Sequence, residues 1–169
     1  MLIEQAELDD IDALSELASA TYRDHFAHIW SAEGLNDYID QQFGHAALGQ
    51  SLGAQSMRYF VLREAEDVVG YIKVLFDRDL PIGGGRGMEL EKIYIRSGVT
   101  GHGYGASLLE FALDLAQCEK QTCVWLDVLK SNHGGQAFYK RHGFEIVGET
   151  PFATDLSDFG FWVMRRETR

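Results

Sequence analysis

Three glycines, Gly101, Gly103 and Gly105, recur at every second position after a strand-like run that ends at Ile95, and a helix-like run follows them. Glycine has no Cβ, so the chain can bend sharply there and lie close to a ligand. The first N–H groups of a helix have no intrahelical partner and carry partial positive charge. The turn Gly101-His102-Gly103-Tyr104-Gly105-Ala106 therefore reads as a cradle for a diphosphate. The same string fits the dinucleotide fingerprint G-x-G-x-x-G/A. Three features oppose that reading: Arg96 to Thr100 separate the first glycine from its strand, the turn lies past the middle of the chain, and no acidic residue ends a second strand at the required distance. A structural turn without a ligand is the third alternative.

Other side chains offer chemistry of their own. Glu89 and Glu91 stand two apart on the strand-like run, so both point to one face, where a carboxylate can accept a proton. Either could instead face solvent or pair with Lys92 or Arg96. His25 and His28 form a His-x-x-His pair, a spacing that can ligate a metal. No further ligands accompany it, and no metal is expected. Cys118 and Cys123 make no metal pattern and read as reduced thiols. No Ser/His/Asp or Cys/His arrangement supplies a nucleophile, and Cys123 alternates into a strand as packing.

The elements that must position these groups follow from patterning. Leu2–Gln5 reads as a first strand. Asp9 reads as the N-cap of a helix with Ile11, Leu14, Leu17 and Ala18 on one face. Ser31 caps a second helix that runs through Phe43 and stops at Gly44, and a short helix spans His45–Leu52. Arg58–Arg63 and Val68–Phe76 form antiparallel strands about a Glu66-Asp67 turn. Glu89–Ile95 is a strand, and the helix after the glycines buries Leu108, Phe111, Ala112 and Leu115. Thr122–Val128 is a strand and Gln136–Arg141 a short helix. Phe144–Val147 and Phe161–Met164 complete the sheet. Helices first, then a meander, then strand–helix–strand indicates an α+β or mixed α/β class.

At 169 residues, with 46% hydrophobic and 24% charged residues and two prolines, the chain reads as a single domain over residues 1–169. The 15 basic residues against 26 acidic ones leave a formal charge of −11, which disfavours nucleic acid and anionic membrane and suits a cationic substrate. No apolar run reaches the ~20 residues of a membrane span. The acidic start lacks a signal-peptide pattern, so a cytoplasmic location is expected.

Downstream of the glycine turn, Asn132 and Gln136-Ala137-Phe138-Tyr139 precede Arg141-His142-Gly143-Phe144. Paired with that turn, this segment resembles the GNAT N-acetyltransferase superfamily, over roughly Arg58 to Phe144. The resemblance implies a central, mostly antiparallel twisted sheet of six to seven strands, splayed between the fourth and fifth and flanked by about four helices. It implies acetyl-CoA as cosubstrate, no metal, and a diphosphate held by Gly101 to Ala106. The pantetheine arm pairs with Ile93, Tyr94 and Ile95, and Asn132 either bonds that arm or only caps a helix. A backbone N–H near Ile93 to Ile95 polarises the thioester carbonyl. Glu89 falls where several members keep a general base, with Glu91 one pleat nearer the thioester. Tyr139 matches the tyrosine that protonates the leaving thiolate. His25, His28 and Trp30 border the acceptor site.

One departure stands out: Thr100 occupies the usual Gln/Arg position, leaving phosphate binding to backbone N–H groups. The early segment TYRDHFAHIW and the strand Glu-Leu-Glu-Lys-Ile-Tyr are similar to a bacterial subgroup that includes spermidine/spermine acetyltransferases. A polyamine or other small amine is therefore the expected acceptor, attacking directly in a ternary complex. Protein N-terminal acetylation and a non-catalytic acyl-CoA sensor are the alternatives. A homodimer is an expectation of the resemblance, and no stretch of sequence defines its interface.

Overall fold

The computed structural model describes residues 1–169. Strand β1 (Leu2–Gln5) leads into helices α1 (Ile11–Phe26), α2 (Ala32–Phe43) and α3 (His45–Leu52). The meander β2 (Met57–Glu64), β3 (Asp67–Asp79) and β4 (Arg86–Ile95) follows. Helix α4 (Tyr104–Cys118), β5 (Cys123–Leu129), α5 (His133–Arg141), β6 (Glu145–Ala153) and β7 (Asp158–Glu167) complete the chain. The seven strands form one sheet in the order β1-β2-β3-β4-β5-β7-β6, antiparallel throughout except for β4 beside β5. This is the mixed α/β architecture that the sequence implied. No helix is long and apolar enough to cross a membrane.

Both faces of the sheet are covered, and strand alternation decides which side chain goes where. On β2, Phe60 and Leu62 join Met88, Leu90, Leu108, Leu109, Ala112 and Phe144 in the layer beneath α4. Tyr59 and Val61 point the other way, into Leu14, Leu17 and Tyr22 of α1, Ile39 and Phe43 of α2 and Leu48 of α3.

Strand β4 breaks the alternation once. Opposite the neighbours Lys73 and Val74 of β3 stand Lys92 and Leu90, so Glu91 is an extra residue, a β-bulge. Before it, Met88 and Leu90 face α4; after it, Ile93 and Ile95 do. Lys92 and Tyr94 turn to the other layer, with the Lys92 Nζ lying 5.4 Å from the centre of the Phe43 ring. Pairing of β4 with β5 consists of Met88 opposite Val124 and Glu89 opposite Trp125. Beyond Glu89 the two strands part, so backbone groups on that edge of β4 lack a strand partner.

Several boundaries differ from the patterning. Asp9 is not the cap of α1: a 3₁₀ turn over Leu8–Asp10 precedes the helix, and the Asp10 carboxylate accepts the Glu7 N–H at 2.9 Å. The β2–β3 turn sits at Ala65-Glu66, one residue early, with Ala65 at φ 53°. Strands β4, β6 and β7 extend beyond the apolar runs that marked them, because long stretches of them carry polar residues on an exposed face. Helix α5 begins at His133 rather than Gln136; Gly134 and Gly135 are weak helix formers that hid its first turn.

Candidate active site

The glycine turn takes the form its residue types require. Gly98, Gly101 and Gly103 have φ of 90°, 91° and 77°, the left-handed region that disfavours other residues. Gly103 is the N-cap of α4. The first N–H of this segment to find a protein acceptor is that of Ser107, bonded to the Gly103 carbonyl at 3.0 Å; the N–H groups from Gly101 to Ala106 find none. A Cβ on Gly101 or Gly103 would meet no protein atom within 4 Å. The space before these amides is open, and the donor set suits an anion of diphosphate size. The flanks are fixed: the Tyr104 hydroxyl donates to Glu64 at 2.6 Å, and the His102 ring stacks on Tyr104 and bonds the Val99 carbonyl through Nδ1 at 3.0 Å.

Beside the turn a cavity of about 600 Å³ opens where β4 and β5 separate. Thr100, Ser131, Asn132 and the Gly134-Gly135 pair line its loop end. Ile93, Tyr94, Ile95 and Tyr139 line it as well, as do His25, whose ring lies 5.4 Å from that of Tyr94, His28 and Phe161. The Asn132 side chain accepts the Gly135 N–H at 2.9 Å, so it caps α5 as well as facing the cavity. Burial pushes the Tyr139 phenol well above its ordinary value, so it stays protonated and able to donate.

Two carboxylates, one on each of the parting strands, line the cavity: Glu91 of β4 and Asp127 of β5. No lysine or arginine lines it. Their environments differ. Burial pushes Glu91 up, but the ammonium groups of Lys92 and Lys73 outweigh it and hold its carboxyl below the usual range. The Lys73 Nζ lies 2.6 Å and the Lys92 Nζ 3.7 Å from Glu91 Oε2, and both lysines are themselves buried. Asp127 has no cationic partner; it stays in contact with solvent, and partial desolvation at the cavity wall raises it to about 6. Carboxyls that line one cavity and are pushed apart in this way can divide acid and base roles.

Of the predicted groups, the fold assembles Glu91, Tyr139, Ile93 to Ile95, Asn132, His25 and His28 around one cavity. Glu89 does not line it. It is turned toward Arg78, whose Nε is 3.4 Å away; burial first, then the charges of Glu91 and Asp127, raise it to about 7 against the pull of Arg78. Trp30 also stays behind the wall: it packs on Tyr38 and Phe152 and donates to the Tyr22 hydroxyl at 3.2 Å. Arg96 bonds the backbone carbonyl of Val68 at 2.8 Å rather than either glutamate. His25 and His28 belong to no group of three side chains placed to hold a metal ion. Sequence reasoning missed Asp127. Its one signal was a lone acid in the apolar strand Cys123–Leu129.

Comparison with known proteins agrees with this geometry. The model of the Acetyltransferase (GNAT) family matches residues 11–144. An uncharacterised N-acetyltransferase of Mycobacterium bovis is 27% identical over 160 residues, covering 95% of this chain and 99% of its own. One of Lactobacillus delbrueckii subsp. lactis is 24% identical over 151 residues, covering 89% and 87%. Among solved structures, the PaiA N-acetyltransferase of Thermoplasma acidophilum in complex with coenzyme A superposes with a TM-score of 0.76 at 22% identity, over 99% of both chains. The ribosomal-protein-alanine N-acetyltransferase of Brucella melitensis gives 0.75 at 21%, again over 99% of both. At those identities the structures speak to the fold. The family match spans most of the chain, from α1 to the residue before β6, and the chain belongs to the GNAT family of acetyltransferases.

Proposed function

We propose that this protein transfers the acetyl group of acetyl-CoA to the primary amine of a small molecule, by direct attack in a ternary complex. The observation that carries the reading is one cavity lined both by Thr100, next to the free amides of the glycine turn, and by the carboxylates Glu91 and Asp127. The N–H groups of Gly101 to Ala106 hold the diphosphate. The unpaired edge of β4 at Ile93 to Ile95 receives the pantetheine amides as an added strand would. Asn132 stands beside that arm. A β4 N–H in this stretch polarises the thioester carbonyl.

The acceptor arrives as an ammonium with a pKa of ~10.4, so freeing its lone pair at pH 7 costs about 4.6 kcal/mol. Glu91, held ionised, anchors it. Asp127, raised toward neutrality, takes its proton. This gives Asp127 the role that the sequence offered to Glu89 and Glu91. Tyr139 donates its phenolic proton as the thiolate leaves. His25 and His28 border the acceptor. A polyamine heads the candidates: the cavity's fixed charges are carboxylates, and the formal charge of the chain is −11.

The test is thiol release from acetyl-CoA across a panel of polyamines, simple alkylamines, amino acids and N-terminal peptides, with product mass spectrometry. Turnover with one or more small amines is expected. Silence across the panel refutes the reading.

A further inference from the structure

The wall of the catalytic cavity carries carboxylates and no lysine or arginine, and cationic groups gather elsewhere. A second, open hollow of about 810 Å³ lies where the end of α5 meets the end of β7. Arg141, Arg165, Arg166 and Arg169 line it, together with Glu145 and Glu167. It shares no residue with the cavity. Phe161 lines the cavity, and Arg165 and Arg166 follow it on β7, so roughly 13–17 Å of strand separates the two places. Helix α5 joins them: its N-cap Asn132 and its Tyr139 line the cavity, and its last residue Arg141 and C-cap His142 line the hollow.

The pairing of the arginines sets this place apart. Of the ten in the chain, Arg58, Arg63, Arg78, Arg86 and Arg165 each pair with a carboxylate. Of the five that do not, Arg141, Arg166 and Arg169 line this hollow. With 26 acidic residues against 15 basic ones, guanidinium groups without a carboxylate should be scarce, and gathering them costs mutual repulsion. Arg166 is held in place without being neutralised. Its Nη1 donates to the His142 carbonyl at 2.6 Å, and its Nε passes 3.5 Å from where a Cβ on Gly143 would lie. The one carbonyl bond leaves most of its five N–H donors unused. Arg165 pairs with Glu167 at 2.5 Å and donates to the Gly84 carbonyl at 3.2 Å, yet its buried Nε has no partner.

We infer that this hollow is a second anion site, for a small phosphate-bearing molecule, separate from the diphosphate cradle of the glycine turn. Guanidinium forks bind the oxygens of phosphates and carboxylates. The unpaired arginines come from different elements, α5 and the segment that ends β7 and follows it, so the ligand must offer oxygens in several directions. A phosphoryl group offers three strong acceptors, whereas a carboxylate offers two in one plane. The formal charge of −11 repels a long polyanion, so the ligand is small. Glu145 lines the hollow and pairs with no cation, so it opposes an anion there.

Calorimetry with sodium pyrophosphate tests the site, on protein holding saturating coenzyme A so that the glycine turn is filled. Wild type is expected to bind one equivalent with a Kd on the order of 1 mM or tighter. Arg141 is exposed and pairs with no carboxylate, and Arg141→Gln should weaken binding about tenfold, the scale of one charge-assisted hydrogen bond. Glu145→Gln removes a like charge and should tighten binding about threefold. The amides of Gly143 and Thr168 should shift in NMR spectra with the same midpoint. No heat with wild type, or an affinity unmoved in both variants, overturns the site. Citrate bound more tightly than pyrophosphate overturns the phosphate assignment, and a DNA oligonucleotide bound more tightly overturns the small ligand. A protein that binds no coenzyme A refutes the cosubstrate instead, and the shifts at Gly143 and Thr168 then decide the hollow alone.

Discussion

Replacing Asp127 with asparagine removes a proton acceptor from the cavity wall and one of the charges that raise Glu89. Its side chain faces the cavity, and no cation depends on it for a partner. With a value of about 6, Asp127 is about nine-tenths ionised at pH 7 and about one-tenth ionised at pH 5. Loss of this base alone should therefore cost the enzyme about tenfold in rate between those two pH values. The amine titrates as well, with a pKa of ~10.4, so two deprotonations limit kcat/KM below pH 6 and only one above it. A plot of log kcat/KM against pH should rise with a slope of about two below pH 6 and about one from there toward pH 10.

Asp127→Asn should flatten the lower limb to a slope of about one and lower kcat at pH 8 by ~10²–10⁴, the range for a positioned general base. Thiol release at saturating acetyl-CoA measures both effects. Glu89→Gln is the control. Glu89 titrates nearby, at about 7, but does not line the cavity, and this variant should keep its rate within about threefold while retaining the steep limb. If Asp127→Asn keeps more than about a third of the rate, or if the steep limb disappears in Glu89→Gln instead, the assignment of the base is wrong.

Tyr139→Phe should lower kcat by ~10–10³ while calorimetry shows coenzyme A affinity unchanged, because the hydroxyl is lost and the ring that packs on Phe138 and Phe144 stays. Gly103→Ala should cost about 1 kcal/mol of stability in urea titrations, since an alanine must adopt φ 77°. It should also weaken coenzyme A binding at least tenfold, because the only thing its methyl can meet is a ligand. The two buried lysines should part company. Lys73→Met removes the close partner of Glu91 and should destabilise the fold by about 1–2 kcal/mol, the figure for a buried pair reduced because Glu91 is 30% exposed. Lys92→Met removes a surplus buried cation and should leave stability within about 1 kcal/mol of wild type or raise it, measured by the same titrations.

What the sequence could reveal depended on how locally each feature is built. The glycine turn needs only consecutive residues, with glycines able to reach positive φ and a helix start behind them, so its shape from Gly101 to Ala106 was legible. Strand β2 was legible as a strand for the same reason, but not which of its residues faced which layer, since Tyr59 to Leu62 are all apolar. Asp127 was not, because an acid in an apolar strand acquires meaning only when the register is known. That register, Glu89 beside Trp125, is a contact between segments separated by the whole of α4. A hydrogen bond from the Ser31 N–H to Asp155 spans 124 positions and leaves no periodic trace. Glu89 and Glu91 did share a face, as spacing required, but spacing could not say which of them lay beyond the last β4–β5 pair.

The bulge at Glu91 explains why the strands part at that point. Under strict alternation from Met88 and Leu90, the residues facing α4 would next be Lys92 and Tyr94. A lysine would enter an apolar layer unpaired, while Ile93 and Ile95 would be expelled from it, an exchange costing several kcal/mol. One extra residue reverses the outcome: the isoleucines fill the space under α4, Lys92 lies over Phe43, and Tyr94 joins the tyrosines beneath α1. A bulged strand bends and cannot continue a flat ladder with its neighbour. Pairing with β5 therefore ends at Glu89, the β4 edge is left free, and Glu91 is held by two lysines on the lip of the gap. The demand of the α4 layer for two isoleucines opens the cleft in which the chemistry is placed.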